Sequence, residues 1–398
     1  MYHVTLDEWL ERGVDKIYPS KEAFQKLLKS KKPLKIYIGV DATGPQMHLG
    51  HATNFLILKK IQELGHKIFF LVGDFTAMIG DPTDKMATRQ PLTHKEVLAN
   101  CKNYKQQIEK IISFSDKNFA EIKFNSKWLG ALKFKDIIEL SSNFTVQQML
   151  ERDMFQERIK NDKPIGLHEF LYPLMQGYDS VVMNIDVEMG GRDQTFNMLV
   201  GRTLMSKLLN KEKFVISTKL LENPNTGKKL MNKSEGSYIA MDDNPSVMYG
   251  KVMSLPDEVV SSCFNLCTEL SNREISKIVT KNNSLRNQKA RLAFEIVNLY
   301  HTIEEAQLAE TEFNRVFRDK ELPIDIPEVK IRNPKCEDLP QMLFDLKLAT
   351  SKSDARRLIE QGGVRIDKAV ISDYKADICF HDKMVIQVGK LKFVRVRL

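Results

Sequence analysis

The stretch at residues 37–51, YIGVDATGPQMHLGH, organises the rest of the chain. It begins in a β-rich run, turns at Thr43 and Gly44, and ends in His48-Leu49-Gly50-His51 at the start of a helical pattern. Backbone amides and the positive end of the helix dipole attract anions there, and Gly50 permits close approach. A lone motif of this kind is more often a plain strand–turn–helix with two surface histidines, but the further motifs below favour a phosphate site.

Strand and helix patterns alternate on both sides of this stretch. Five runs are predicted to be strands: residues 35–40, 67–72, 121–124, 180–186 and 214–218. Helical patterns between them predict an α/β fold with a Rossmann-type doubly wound parallel sheet, whose ligand lies at the carboxyl ends of the strands. Neither a dinucleotide glycine fingerprint nor a GxxxxGK[ST] loop occurs, so other groups must hold any phosphates.

Composition narrows the class of protein. A net charge of +8 on 398 residues favours polyanionic partners. The five cysteines are scattered without a metal-ligand pattern, which predicts free thiols in a reducing compartment and no structural metal. No apolar run is long enough to span a membrane, and the acidic first residues are unlike a signal peptide. We therefore expect a cytoplasmic protein with no membrane contact.

The chain is predicted to contain three domains. Residues 1–236 are predicted to form the Rossmann-type domain, with a helical insertion at about 125–164. An α-helical domain at 237–320 is followed by a proline-punctuated linker at 321–340. Residues 341–398 form a small α+β domain, which holds 12 Lys and Arg against 7 Asp and Glu, or +5 of the total charge.

The first motif resembles the HIGH signature of class I aminoacyl-tRNA synthetases. Upstream, Tyr37, Gly39, Asp41 and Thr43 are similar to the Tyr-x-Gly-x-Asp-x-Thr run of tyrosyl-tRNA synthetases, most of which have proline where this chain has Ala42. This change is expected to alter loop stiffness rather than chemistry. The resemblance implies that the loop and its histidines bind the phosphates of ATP.

A lysine-rich loop resembles the second class I signature, KMSKS. Within residues 227–234, GKKLMNKS, the sequence matches at Met231, Lys233 and Ser234, whereas Leu230 replaces the first lysine and Asn232 the serine. A solvated basic loop is the alternative for this run alone. Whether Lys228 or Lys229 replaces the missing lysine stays open. An ammonium on a loop suits a triphosphate whose charge grows in the transition state.

Substrate choice depends on Tyr172, Gln176 and Asp179, whose i, i+4, i+7 spacing puts them on one helix face. They resemble the pocket helix of the tyrosyl family, in which tyrosine and glutamine hold the substrate ammonium and the aspartate accepts from the substrate phenol. By the same resemblance, Tyr37 is the other partner of the phenol.

Two further runs complete the resemblance. Residues 190–194 are similar to the family's Gly-Gly-x-Asp-Gln, which implies that Asp193 holds the ribose and Gln194 the substrate, although Arg192 is unusual there. In the run from Asp81 to Arg89 the first residue would take the ammonium. The resemblance implies ATP contacts from Gly39, Asp41, His48, Gly50, His51, Arg89, Gly191, Asp193, Lys229, Lys233 and Ser234.

The basic C-terminal segment resembles an RNA-binding domain shared with the ribosomal S-four protein family. The resemblance lies in residues 351–366, where Lys352, Arg356 and Arg357 would form a basic helical surface for RNA phosphates. A merely solubilising basic tail is the alternative.

Together these resemblances imply a tyrosine–tRNA ligase reaction. Tyrosine and ATP give tyrosyl-adenylate and pyrophosphate, and the tyrosyl group passes to the 3′ end of tRNA(Tyr); a homodimer formed through the insertion is also implied. Alternatives are a tryptophan–tRNA ligase, a small nucleotidyltransferase with HxGH, and a non-catalytic RNA-binding relative. Catalysis would rest on positioning and charge stabilisation by Mg²⁺ arriving with ATP and by His48, His51, Thr43, Lys85 and Lys233.

Overall fold

A computed structural model describes most of the chain. The described residues are 4–30, 32–81, 92–115, 118–231, 238–280, 282–317, 326–331, 335–336, 338–389 and 392–398. The chain divides into two compact units, one made of Met1–Asp243 and Val252–Thr302, the other of Asn244–Lys251 and Ile303–Leu398. The three-domain division made from the sequence stays a prediction.

The first unit is built on a six-stranded sheet. Its strands are β1 (Val14–Tyr18), β2 (Lys35–Asp41), β3 (Lys67–Gly73), β4 (Glu121–Phe124), β5 (Val187–Gly191) and β6 (Phe214–Thr218). Their order is β1-β6-β5-β2-β3-β4, and all neighbours are parallel except β1, which is antiparallel to β6. The strand order reverses between β5 and β2, which is where a doubly wound sheet forms its ligand crevice.

Strands β2 and β5 pair over only two positions, Ile36 with Val187 and Tyr37 with Glu188. Both strands continue for several residues beyond this pairing, to Asp41 and Gly191. Their carboxyl ends therefore separate, and the crevice opens directly above Tyr37.

Helices cover this sheet and fill the insertion. They are α1 (Leu6–Gly13), α2 (Lys21–Leu28), α3 (Leu49–Glu63), α4 (Thr76–Ile79), α5 (His94–Cys101), α6 (Tyr104–Ile108), α7 (Ser126–Leu129), α8 (Phe134–Ser141), α9 (Val146–Leu150), α10 (Asp153–Lys160), α11 (Tyr172–Met183) and α12 (Thr195–Leu209). Short 3₁₀ turns at Leu167–Phe170 and Arg192–Gln194 precede the last two. Local sequence sets the ends: Thr5 forms a capping box with Glu8, and Gly65 takes a positive φ of 91° just after α3.

The strand predicted at residues 180–186 is wrong. This run instead completes α11, which ends where Asn184 adopts the left-handed conformation, and β5 begins at Val187. The run SVVM is a short apolar stretch, and hydrophobic periodicity does not distinguish a strand from a buried helix segment of that length. The correction matters because it puts Ser180 on the same helix as Tyr172, Gln176 and Asp179.

Helices continue after the sheet. Their bounds are α13 (Pro245–Met253), α14 (Val260–Cys267), α15 (Asn272–Ile278), α16 (Leu285–Tyr300) and α17 (Ile303–Phe317), with a 3₁₀ turn at Asp257–Val259. In the first unit, α14 packs against α1, α3 and α16. Leu56, Leu58 and Ile61 of α3 are fully buried, so this helix lies inside the unit rather than at its surface.

The second unit contains a small α+β fold with its own apolar core. It holds α18 (Leu339–Asp345), α19 (Lys352–Glu360), β7 (Glu328–Lys330), β8 (Lys335–Cys336), β9 (Val364–Ile366), β10 (Ala369–Ile371), β11 (Ile378–Cys379), β12 (Val385–Val388) and β13 (Lys392–Arg397). One sheet has the order β10-β9-β12-β13-β7, and β8 pairs with β11. Leu343, Ala355, Ile359 and Ile386 are fully buried between the helices and the larger sheet.

None of the helices in the described part of the chain is both long and apolar enough to cross a membrane.

Candidate active site

The loop between β2 and α3 is held from behind by α5 and α6. Three side chains donate to its carbonyl oxygens: Asn100 to Ala42 (2.9 Å), Tyr104 to Gly44 (2.6 Å) and Gln107 to Pro45 (3.0 Å). The amide of Thr43 donates to the Asp41 carbonyl at 2.8 Å, which closes the turn. These three hydrogen bonds hold the loop on one side through its backbone, independently of the side chain at Ala42.

The two histidines lie side by side at the N-terminus of α3. Their ring centroids are 3.9 Å apart, and the His48 amide donates to His51 Nδ1 at 3.2 Å. Because that nitrogen accepts, the proton of a neutral His51 ring is on Nε2. A Cβ added at Gly50 would lie 3.1 Å from His48 Nδ1, so glycine is what allows the ring to pack here. The structure thus brings together His48, Gly50 and His51, as the motif predicts.

The floor of the crevice carries Tyr37 and Asp179. Tyr37 is fully buried, and its hydroxyl lies 3.0 Å from Ser180 Oγ. Asp179 is 2% exposed and accepts from Trp128 Nε1 at 2.7 Å and from Asn125 Nδ2 at 3.3 Å. Burial raises the pKa of Asp179 well above its ordinary value, while these two donors oppose the shift. Asp179 is therefore a buried acceptor positioned by two fixed N–H groups.

Tyr172 and Gln176 extend this face of α11 toward the sheet. The Tyr172 hydroxyl donates to Asp41 Oδ2 at 2.8 Å, and Gln176 Nε2 donates to Glu188 Oε1 at 3.0 Å. Burial raises the pKa of Tyr172 well above its ordinary value, and the Asp41 charge adds to this. The spacing of Tyr172, Gln176 and Asp179 predicts one shared face, and the structure brings all three to the crevice.

Asp41 is a junction between the strand and the pocket helix. Besides Tyr172, it accepts from Thr76 Oγ1 at 2.6 Å. A Cβ at Gly73 would collide with Asp41 Oδ1, so Gly73 on the neighbouring strand makes room for the carboxylate. Gly39 is exposed near the end of β2. The contacts of Asp41 support a structural role, and the ATP contacts of Gly39 and Asp41 stay predictions.

Asp81 and Gln194 meet on the other side of the crevice. Gln194 Nε2 donates to Asp81 Oδ2 at 2.7 Å, and Arg152 lies 3.4 Å from Asp81 Oδ1. Asn197 is fully buried and donates both to Gln194 Oε1 at 3.1 Å and to Gln176 Oε1 at 2.9 Å. Asn197 and Arg152 are absent from the sequence-based prediction. The sequence does contain one signal for Asn197: it follows Gln194 by three residues, a spacing that places both on one helical face.

The predicted ribose carboxylate, Asp193, pairs with the lysine loop. Lys229 Nζ lies 2.6 Å from Asp193 Oδ2, and Arg192 forms an ion pair with Glu222. A Cβ at Gly191 would come within 2.5 Å of Asp193 Oδ1, which accounts for glycine there. The remaining predicted phosphate ligands, Lys85, Arg89, Lys233 and Ser234, lie outside the described residues.

The three predicted RNA-binding residues lie on α19 of the second unit, and each has a local partner. Lys352 pairs with Asp338, Arg357 pairs with Asp354 at 2.7 Å, and the Arg356 guanidinium lies 5.4 Å from the centre of the Tyr374 ring. Two aspartates thus partly neutralise this helix surface, which the sequence pattern alone does not reveal.

Among the described residues, no group of three or more His, Cys, Asp or Glu side chains is arranged to hold a metal ion.

Comparison with known proteins identifies both parts of the chain. Residues 29–318 match the model of the class I tRNA synthetases of the W and Y group, and residues 339–383 match the S4 domain. The chain is 43% identical over 394 residues to a tyrosine–tRNA ligase 2 of Clostridium acetobutylicum, covering 97% of both. It is 44% identical to a tyrosine–tRNA ligase of Moorella thermoacetica, covering 97% of this chain and 94% of the relative.

A solved structure supports the fold independently. The C-terminally truncated mitochondrial tyrosyl-tRNA synthetase of Aspergillus nidulans aligns with a TM-score of 0.65 at 23% identity, covering 78% of this chain and 94% of that one. The predicted fold class and the predicted family are therefore confirmed. The chain belongs to the class I tRNA synthetases and, within them, to the tyrosine–tRNA ligase family.

Proposed function

We propose that this chain activates tyrosine with ATP to form tyrosyl-adenylate and pyrophosphate, and then transfers the tyrosyl group to the 3′ end of tRNA(Tyr). The observation that carries this proposal is the placement of Tyr37 and Asp179, two buried hydrogen-bonding groups at the floor of the crevice. A phenol entering between them would find an acceptor in Asp179 and a hydroxyl partner in Tyr37.

Rejection of phenylalanine follows from the same groups. Without a substrate hydroxyl, both buried groups lose a partner, and an unpaired buried polar group is costly. Sites of this design, for which the tyrosyl-tRNA synthetases are the established example, reject the analogue without the hydroxyl by about 10⁴–10⁵. The chain therefore needs no separate editing site that hydrolyses phenylalanine products.

The amino end and the nucleotide are assigned by proximity. The substrate ammonium is assigned to Tyr172, Gln176 and Asp81, whose oxygens suit an ammonium group. Hydrogen bonds through Asn197 and Gln194 connect Gln176 with Asp81. The adenosine ribose would take Asp193, and the phosphates would meet the amide-rich start of α3 with His48 and His51. Mg²⁺ enters as part of the ATP substrate complex.

Activation on this site requires no general base. The substrate carboxylate is already ionised and attacks the α-phosphorus directly, so the protein contributes positioning and stabilisation of the growing pyrophosphate charge. Thr43, His48 and His51 supply this from the first loop, and the lysine loop supplies an ammonium. Lys85 and Lys233 are assigned on sequence alone.

Pyrophosphate exchange into ATP, measured with each amino acid in turn, tests the proposed reaction. Exchange should depend on tyrosine and be barely detectable with phenylalanine or tryptophan. Tryptophan turnover equal to that of tyrosine would reject the proposal, because the buried hydroxyl partners would then have no role in selection.

The second unit is proposed to bind tRNA through α19. Replacing Arg356 and Arg357 together with alanine should weaken tRNA binding and flatten its salt dependence, by up to about one unit of slope for each lost phosphate contact. Tyrosyl-adenylate formation should not change. The measurement is the tRNA dissociation constant at several salt concentrations.

Replacement of Asp338 and Asp354 by asparagine is the matched test on the same helix surface. Removing these two counter-charges of Lys352 and Arg357 should strengthen tRNA binding. If both double variants bind tRNA with the parental affinity and salt slope, α19 is not the contact surface.

We also propose that the chain is a homodimer that acts in the cytoplasm, where tRNA is charged. Support for the dimer comes from the helical insertion, which leaves large apolar side chains exposed: Phe134 at 78%, Val146 at 65%, Ile138 at 56% and Ile159 at 52%. Phe134 and Ile138 are four residues apart on α8 and so share one face, and an exposed apolar face is typical of an interaction surface.

A further inference from the structure

A fully buried ion pair lies directly beneath the predicted tyrosine pocket. It joins Lys213, 0% exposed, to Glu188, 2% exposed. Lys213 Nζ also lies 2.8 Å from Ser180 Oγ and 3.0 Å from the Met198 carbonyl oxygen. These three acceptors match the three N–H donors of an ammonium group, so the buried charge is completely hydrogen-bonded.

Two glycines allow α11 and α12 to approach each other beside this ammonium. A Cβ added at Gly201 of α12 would collide with Lys213 Nζ and would lie 3.1 Å from Ser180 Oγ. A Cβ at Gly177 of α11 would lie 2.9 Å from Leu204 and 3.2 Å from the Gly201 amide. Buried ion pairs often stabilise no better than apolar residues of similar volume. A lysine accommodated this closely therefore calls for a role beyond stability.

The lysine sets the direction of the hydrogen bonds around it. An ammonium only donates, so Ser180 Oγ must accept from Lys213, and the single Ser180 proton must point elsewhere. Two acceptors lie within reach of that proton, Tyr37 Oη at 3.0 Å and Glu188 Oε2 at 3.3 Å. Donation to Tyr37 uses the shorter contact. Donation to Glu188 is the alternative that Ser180→Ala distinguishes below, because Tyr37 would then donate to Ser180 and not to the phenol.

The proton of Tyr37 is then turned away from Ser180. The Tyr37 hydroxyl lies 3.5 Å from the Gln176 carbonyl oxygen, a group that can only accept. In the ligand-free site the Tyr37 hydroxyl is therefore a donor on the side that faces away from Ser180. Asp179, held by the N–H groups of Trp128 and Asn125, is an acceptor.

We propose that Lys213 is a positioning residue for tyrosine selection, which acts through Ser180 to fix Tyr37 as the hydrogen-bond donor to the substrate phenol. This inference rests on the proposed function. The chain of donors runs in one direction, from Lys213 to Ser180, to Tyr37, to the phenol oxygen and finally to Asp179. A phenol both accepts and donates, so it alone among aromatic amino acid side chains of this size completes the chain. Phenylalanine breaks it at two places.

Ser180→Ala tests the link while keeping both charges of the ion pair, although it removes one of the three acceptors of Lys213 Nζ. We expect KM for tyrosine in pyrophosphate exchange to rise about 5- to 10-fold, since one neutral hydrogen bond no longer orients Tyr37. KM for ATP and the weak turnover of phenylalanine should be unchanged, so tyrosine–phenylalanine discrimination falls by the same factor. In a Tyr37→Phe background, Ser180→Ala should add less than a twofold change, because the hydroxyl through which it acts is absent.

Thr268→Val is the matched control. It removes another buried hydroxyl, which donates to the Phe264 carbonyl oxygen at 2.7 Å at the end of α14, a helix that carries none of the pocket residues described above. It should lower the unfolding temperature about as much as Ser180→Ala while leaving discrimination at the parental value. Equal changes in discrimination for both variants would mean that Ser180 acts only through stability, and would overturn the proposal.

The paired change Lys213→Met with Glu188→Gln tests the ammonium itself while leaving no unpaired buried charge. A folded double variant should lose discrimination by the same 5- to 10-fold. Parental tyrosine–phenylalanine discrimination in that folded variant would refute the directed chain of hydrogen bonds. A full Ser180→Ala effect in the Tyr37→Phe background would refute it too. If the double variant does not fold, the Ser180 measurements decide alone. Absence of any tyrosine-dependent exchange in the parental protein would instead reject the proposed function.

Discussion

Replacing Asp179 with alanine is expected to lower kcat/KM for tyrosine by about 10²- to 10³-fold. Asp179 is one of two buried partners proposed for the substrate hydroxyl, and the two together are expected to provide discrimination of about 10⁴–10⁵. Its loss leaves the phenol proton without an acceptor and also leaves the N–H groups of Trp128 and Asn125 unpaired. The measurement is pyrophosphate exchange at varied tyrosine and saturating ATP.

Asp179→Asn separates charge from shape. The amide oxygen can still accept from Trp128, so the local structure should survive, but a neutral acceptor binds a phenol proton more weakly than a carboxylate. We expect a loss about midway between the parental protein and Asp179→Ala on a logarithmic scale. KM for ATP should stay unchanged in both variants. Parental tyrosine turnover by Asp179→Ala would place the phenol elsewhere and remove the basis of the assigned pocket.

Much of this site could be predicted because its residues occur in short local patterns. The two histidines are three residues apart around a glycine, and a Cβ at Gly50 would lie only 3.1 Å from His48 Nδ1. The sequence motif therefore already predicts that the two rings lie close together at the start of the helix. Likewise, Tyr172, Gln176 and Asp179 are spaced i, i+4, i+7, so they share one face as soon as this run forms a single helix.

Contacts between distant segments escape that reasoning. Lys213 and Ser180 are 33 residues apart in sequence and 2.8 Å apart in space, and nothing local marks either as part of a tyrosine site. Trp128 and Asn125 reach Asp179 from the insertion in the same way. The edge strand Val14–Tyr18 was not predicted, because its five residues include two exposed charged ones and lack an apolar run.

The error at residues 180–186 has a further cause. A short apolar run fits either a central strand or the end of a helix. Here it is the end of a partly covered helix, in which Val181 and Met183 are half-buried and Val182 is 42% exposed. Only a helix stop distinguishes the two structures, and here the stop is Asn184 at φ 49°, a conformation for which asparagine is a modest signal. The sheet as a whole could still be predicted, because the alternation of strands and helices does not depend on the exact limits of β5.

Lys233→Ala is expected to cost about 2–4 kcal/mol of transition-state stabilisation in adenylate formation, by analogy with the loss of one preorganised donor. Lys233 lies outside the described residues, but both sides of its segment are anchored at the first signature. Met231 Sδ accepts from the Ile239 amide at 3.2 Å, and the Ile239 carbonyl accepts from the Leu49 amide at 3.1 Å. Lys233 follows Met231 by two residues in the sequence.

The upstream lysines stand in a different position. Residues 221–230 form a hairpin in which Leu230 donates to the Leu221 carbonyl and Asn223 to the Lys228 carbonyl. Lys229 reaches across to Asp193, the predicted ribose ligand, at 2.6 Å. If Asp193 holds the ribose, as proposed, binding of ATP displaces Lys229 from Asp193 and releases an ammonium beside the nucleotide. Of the two candidates for the missing lysine, the structure favours Lys229 over Lys228.

Single-turnover adenylate formation at saturating tyrosine and ATP distinguishes these lysines. Lys233→Ala should be slowest, Lys229→Ala intermediate, and Lys228→Ala, its exposed neighbour, close to the parental rate. Leu230→Lys should be neutral or mildly activating, because a lysine is a point charge on a long stem with little directional demand. If Lys233→Ala reacts at the parental rate while Lys229→Ala is inactive, the alignment of this loop with the second signature is wrong. If all three alanine variants react normally, the loop does not hold phosphate, and the charge that grows on the pyrophosphate must be met by His48, His51 and Mg²⁺ without it.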